Sequence, residues 1–156
     1  MLERMAGADA PEWRRYSAVG TTAFLAPELI AGRGHGYASD YWALGVLLFQ
    51  CLTGRTPFRD GRSTSRTYSN IMYRRVQWPA GSEESLSKEV KDLLSRLLEP
   101  LEQARIGGRG PDAAIEDLKA HPWFVKHGVD WNKLYDEPGP YVPRLRGPTD
   151  IGYFEC

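Results

Sequence analysis

The densest apolar block of the chain runs from Tyr41 to Leu52. No residue between Asp40 and Arg55 carries a charge. Trp42, Leu44, Val46, Leu47, Leu48, Phe49 and Cys51 fall on every side of a helix drawn through that block. A surface helix shows one apolar stripe, whereas a helix that is apolar all round is buried. A bilayer span needs about 20 apolar residues, and a single strand stops at about 8. The block therefore predicts a central buried helix over 38–53. Ser39 is its expected N-cap and Asp40 stands in its first turn, where a carboxylate meets unpaired N–H groups. Gly54 is the natural stop, with Pro57 shortly beyond it.

Weaker patterns follow downstream. Arg59 to Arg66 reads as a polar loop. Ile71, Met72 and Val76 then lie on a partial helical face, which predicts a helix over 66–75 ended by Trp78 and Pro79. Val90, Leu93, Leu94, Leu97 and Leu98 recur at i, i+3, i+4, i+7 and i+8, the clearest amphipathic pattern present. It predicts a helix over 87–98, capped by Ser87 and stopped by Glu99-Pro100. Asp112 is the expected cap of a helix over 112–119 with Ile115 and Leu118 inward, and His121 to Phe124 closes the apolar pattern. Upstream, Pro27 and Glu28 open a short helix to Ala31, because proline's missing N–H is not needed in a first turn. After Val129, Pro138, Pro140, Pro143 and Pro148 forbid a helix, and few apolar residues remain to build a second core. The expected fold is mainly α, without a substantial sheet, followed by an extended tail.

Composition narrows the function classes. Lys plus Arg and Asp plus Glu balance at 20 each, so no net field attracts nucleic acid or acidic membrane. Two cysteines, Cys51 and Cys156, make no disulfide framework and point to a reducing, intracellular and cytoplasmic setting. His35, His121 and His127 have no ligand spacing with them, so no metal site is expected. The first residues have no apolar core segment and do not read as a signal peptide.

Two stretches carry a family resemblance. Val19 to Ile30 reads VGTTAFLAPELI, and Gly36 to Phe58 reads GYASDYWALGVLLFQCLTGRTPF. G-T-x-x-F-L-A-P-E, then G-Y-x-x-D-x-W-A-L-G-V, then T-G-R-x-P-F resembles a serine/threonine protein kinase of the AGC group in order and spacing. The resemblance covers nearly the whole chain. It implies a partial kinase C-lobe over 1–128, with helices F to I, and the start of an AGC tail over 129–156. It implies transfer of the ATP γ-phosphoryl group to Ser or Thr of a protein substrate, with ATP and Mg²⁺ as cofactors of the full-length family.

The resemblance also assigns residues. Ser17 stands where AGC kinases carry their activation-loop phosphate, set there by an upstream kinase or by autophosphorylation; by spacing alone it is an ordinary loop serine. Ala18, Thr22 and Leu25 would line the small apolar pocket for the residue after the acceptor. Thr21 matches the threonine that bonds the catalytic aspartate and lysine. Glu28 would pair with Arg105, which otherwise reads as a solvated loop arginine. Asp40 would accept hydrogen bonds from the catalytic-loop backbone; with that loop absent it would be left half satisfied and costly to bury. Gln50 stands where several AGC kinases place an acidic residue that binds a substrate arginine, and a neutral amide cannot make that ion pair.

Kinases also need a Gly-rich phosphate loop, a strand lysine, and the H-R-D and D-F-G motifs. None of these occurs in the 156 residues. The expectation is that they lie in a missing N-terminal kinase segment. The chain alone would then bind no ATP, contain no catalytic residue and transfer no phosphate. The alternative is a non-catalytic C-lobe that acts as a docking or decoy module.

Overall fold

A computed structural model describes residues 21–153, and all structural statements concern those residues. Seven α-helices and one 3₁₀ turn make up the regular structure, with no β-strand among the described residues. The 3₁₀ turn is Thr22–Phe24, followed by α1 (Pro27–Ile30) and α2 (Ala38–Thr53). Then come α3 (Thr64–Met72), α4 (Ser82–Ser85), α5 (Lys88–Leu97), α6 (Pro111–Lys119) and α7 (Pro122–Lys126). No described helix is long and apolar enough to cross a membrane.

Helix α2 is the axis of the fold. Trp42, Val46 and Phe58 join Ala26, Ile71 and Leu98 in one buried cluster. The Trp42 and Phe58 rings stack with centroids 5.3 Å apart. Phe49 packs on Trp78 at 4.7 Å. Helix α5 crosses α2 at Gly45, where a Cβ would lie 2.8 Å from Leu97 Cβ. Glycine is needed there for the two backbones to approach. The buried face of α5 (Leu93, Leu97) meets Ile106 and Ala114 in a second cluster. Gly54 ends α2 in the left-handed conformation, and its N–H bonds Gln50 O at 2.8 Å.

Several sequence expectations are corrected here. The central helix is not buried all round. Leu44, Leu47 and Leu52 are exposed at 38%, 49% and 37%. Burial follows what packs against a face: α5 and the 3₁₀ turn are the elements most in contact with α2, and these three leucines remain exposed. Ser39 is not the N-cap. The cap is Tyr37, and the Ser39 hydroxyl is turned inward to another acceptor. Asp40 is exposed rather than buried. Helix α3 starts at Thr64, inside the expected polar loop, because the Ser63 hydroxyl caps it by accepting from Arg66 N at 3.3 Å. It stops at Met72, and Arg74 takes a positive φ of 50° just beyond. Helix α4 was not expected. Asp112 lies inside the first turn of α6, whose cap is Gly110, and Ile115 faces solvent at 42% exposure.

Helix α5 follows its expected span closely, and the Ser87 hydroxyl accepts from Val90 N at 3.3 Å. His121 Nδ1 accepts from Trp123 N and opens α7. That helix is tied back to α5 by Lys126–Glu89 at 2.7 Å and His121–Asp92 at 3.0 Å. Residues 130–153 form turns and irregular chain without helix or strand. The segment is anchored at its start by Trp131 against Phe124, with ring centroids 4.9 Å apart.

Candidate functional site

Two features stand out around α2: a buried polar node and an open groove. The node forms where α1, the start of α2 and the loop after α5 converge. Arg105 reaches Glu28 with both guanidinium arms: Nη1 donates to Oε1 at 2.8 Å and Nη2 to Oε2 at 2.9 Å. Its remaining hydrogens go to Glu99 O (2.7 Å), Ala38 O (3.0 Å) and Pro100 O (3.4 Å). All five N–H groups of the fork thus have acceptors. Ser39 Oγ donates to Glu28 Oε1 at 2.6 Å, and the guanidinium lies over the Trp42 ring at 5.0 Å. The Arg105 and Glu28 side chains are 0% and 2% exposed. Burial alone would raise the Glu28 carboxyl, but the hydrogen bonds and charge of Arg105, with Ser39, outweigh it and hold the group below the ordinary carboxylate range.

The groove lies on the other side of the Thr22–Phe24 turn. It encloses about 600 Å³ between that turn, Gln50 of α2 and the loop from Arg59 to Thr64. A second cavity of about 570 Å³ shares Gln50, Thr56, Arg59 and Gly61 and runs on to Trp78. The groove's outer wall is braced from α3: Thr67 Oγ1 accepts from Asp60 N at 3.0 Å, and Asn70 Nδ2 donates to Phe58 O at 3.1 Å.

The structure brings some sequence-derived site residues together and separates others. Thr21, Thr22 and Gln50 line the groove, while Leu25 is half-buried and does not. Glu28 and Arg105 meet in the node. Asp40 lies elsewhere, in a shallow cavity of about 300 Å³ with Tyr37, Tyr41, Leu44 and Pro111. Ser17 and Ala18 fall outside the described residues. Sequence reasoning missed Ser39 as a partner of Glu28 and the arginines of the groove wall. Their signal was present, since Arg55, Arg59, Arg62 and Arg66 recur with one acidic residue, Asp60, among them.

The protein kinase domain model matches residues 6–124, most of the chain. The chain belongs to the protein kinase family. Its relatives include the serine/threonine-protein kinase greatwall of Gallus gallus, 42% identical over 138 residues and 88% of this chain. The probable serine/threonine protein kinase IRE4 of Arabidopsis thaliana is 39% identical over 90% of this chain. The probable serine/threonine-protein kinase pkgA of Dictyostelium discoideum is 35% identical over 91% of it. The chain spans 14%, 13% and 10% of the length of these three relatives.

Protein kinases use ATP and Mg²⁺. The described residues do not fit that pair. No group of three His, Cys, Asp or Glu side chains gathers where a metal ion could sit. In the glycine cluster, a Cβ on Gly107 would lie 2.5 Å from the Tyr41 ring and one on Gly108 2.2 Å from Glu102 O, so these two pack against protein, whereas Gly110 has open space beside it.

Proposed function

We propose that this chain is the substrate-side part of an AGC-type serine/threonine kinase domain. In this reading α2, α3, α5 and α6 correspond to helices F, G, H and I of the C-lobe, and the residues from 129 begin the AGC tail. The full protein transfers the ATP γ-phosphoryl group to Ser or Thr of a protein substrate. The nucleotide cradle, the catalytic base and the metal ligands come from a kinase segment outside these 156 residues.

The observation that carries the reading is the joined geometry of the A-P-E glutamate and the groove. Glu28, fixed by Arg105, lies six residues after Thr22, which lines the groove beside Gln50. A substrate peptide laid in that groove would meet the Thr21–Phe24 turn first. The uncovered side of α2 supports the same reading. Leu44 and Leu47 expose an apolar stripe next to Asp40 and would receive the remaining kinase segment. Ser17 is the proposed activating phosphosite, and Ala18, Thr22 and Leu25 the proposed contacts to the residue after the acceptor.

The test is phosphoryl transfer by the complete protein that contains this chain, with labelled ATP, Mg²⁺ and a generic protein acceptor. The expected result is label on serine and threonine, with loss of most activity in Ser17→Ala. Label confined to tyrosine, or no label under any condition, overturns the assignment.

A further inference from the structure

The groove is lined by more arginine than acid, with Asp60 its one carboxylate, although the chain as a whole is neutral. Six of the 20 cationic residues, all arginines, lie between residues 54 and 76, against one acidic residue, Asp60. Arg59 and Arg62 line the first cavity, and Arg55 and Arg59 line its continuation. None of these three has a carboxylate partner among the described residues; Asp60 is engaged instead with Arg62 N at 2.9 Å and Arg66 at 4.0 Å. Elsewhere on the molecule several cations are paired, as in Arg74–Glu99, Arg96–Asp92 and Lys126–Glu89. Three guanidinium groups without a carboxylate partner thus meet at the two cavities that share Gln50. That residue offers an amide to the groove, which can hydrogen-bond an anion as readily as a cation and repels neither.

We propose that the groove selects acceptor segments carrying anionic side chains beside the phosphorylated hydroxyl, with Arg55, Arg59 and Arg62 as the specificity-determining residues. The proposal rests on the kinase reading above and names its substrate class. Guanidinium forks match carboxylate and phosphate oxygens two at a time, so the recognised anion is an aspartate, a glutamate or a previously phosphorylated residue. Basic acceptor segments are disfavoured by repulsion, without any residue contacting them. An exposed ion pair is worth a factor of about two to five, so two or three such contacts give a preference of roughly tenfold. Screening at high salt should shrink it, because the groove is open to solvent.

The experiment uses the complete kinase, ATP and Mg²⁺ with matched peptides whose residues around one serine are all Ala, Glu, phosphoserine or Arg. The expected order of kcat/KM is Glu or phosphoserine above Ala above Arg, by roughly tenfold at each end in low salt and less in 0.5 M salt. The Glu and phosphoserine arms tell which anion is preferred. Arg59→Ala with Arg62→Ala should bring the Glu-to-Ala ratio close to one, and Arg59→Glu with Arg62→Glu should favour the Arg peptide. The reversal is a gain that misfolding cannot produce. Transfer with no dependence on peptide charge, or with a preference for Arg in the native protein, overturns the groove proposal and leaves the kinase reading standing. No transfer to any peptide or protein overturns both.

Discussion

Replacing Arg105 by alanine should be among the most damaging single changes in the described fold. The guanidinium is completely buried and all five of its N–H groups are used. Its removal leaves the Glu28 carboxylate with only the Ser39 hydroxyl, and strips a donor from the carbonyls of Ala38, Glu99 and Pro100. Breaking a buried pair by deleting one partner costs about 3–5 kcal/mol. Each orphaned buried carbonyl adds about 1–3 kcal/mol unless water reaches it. A domain of this kind has about 5–15 kcal/mol in all, so the variant should lose a third of its stability or more. Glu28→Gln should cost less, since the amide oxygen still accepts one guanidinium arm. Joint replacement, Glu28→Gln with Arg105→Met, should recover part of the loss, because no charge is then stranded.

The assay is urea denaturation of the complete kinase domain, followed by tryptophan fluorescence. Trp42 lies under the guanidinium and against Phe58, so this node contributes to the fluorescence change among the five tryptophans of the chain. The expected order of midpoints is native, then Glu28→Gln, then the double variant above Arg105→Ala. An Arg105→Ala protein within about 1 kcal/mol of native would refute the reasoning, since an exposed ion pair is worth no more than that.

Three further outcomes follow from the same packing. Gly45→Ala should destabilise by about 1–3 kcal/mol despite alanine's better helix propensity, because the new methyl would lie 2.8 Å from Leu97 Cβ and 2.9 Å from Leu98 Cδ2; equal or raised melting temperature would reject it. The Glu28 carboxyl is depressed in the folded state, so its contribution is complete above the unfolded value of about 4.3 and is lost as pH falls through the lower folded value; Glu28→Gln should flatten that part of a stability-against-pH curve, and an unchanged acid limb counts against it. Expressed alone, the 156-residue chain should self-associate through Leu44, Leu47 and Leu52, and Leu44→Ser with Leu47→Ser should reduce light scattering severalfold; a monodisperse native chain would contradict this.

Legibility followed the range of the interaction that fixes each feature. Helix α5 could be read almost to the residue, because its heptad-like apolar face and its Ser87 cap are local signals. Helix α2 was legible in extent but not in exposure. Trp42 and Leu44 look alike in a hydrophobicity pattern, yet one is fully buried and the other 38% exposed. The difference depends on which neighbours arrive, and no local rule contains that. Ser39 misled for a related reason. A serine at a helix start is a good cap, but a buried carboxylate 2.6 Å away is a stronger use of its hydroxyl, and that neighbour stands 11 positions earlier. Helix α4 is a single turn with no buried residue, so it left no period to detect. In the site, Thr22 and Gln50 share one cavity although they stand far apart in the chain, while Leu25, three residues from Thr22, is not part of it. The groove arginines carry no apolar period and read as a solvated loop until the fold closes them around a cavity.

The two features of the site are mechanically one. Arg105 holds Glu28 in α1, Ala38 at the start of α2 and the Glu99 and Pro100 carbonyls just beyond α5, three segments brought together across 77 positions of sequence. The Thr22–Phe24 turn leads into α1 through Leu25 and Ala26, and Ala26 is fully buried against Trp42 and Phe58. That turn is also one wall of the groove, and α2 supplies Gln50 to its floor. The opposite wall belongs to the loop from Phe58 to Ser63, whose inner end is the same Phe58 ring stacked on Trp42. Both walls thus adjoin the stacked Trp42 and Phe58 rings, and the Arg105 guanidinium lies over the first of them. A groove built from an exposed turn and an exposed loop would otherwise have little reason to keep its width. Here the segment that leads out of the turn is fixed at Glu28 by a buried, fully satisfied ion pair, with each carboxylate oxygen within 2.9 Å of its donor. The loop that carries the groove arginines thus begins at a residue packed in the core, at Phe58.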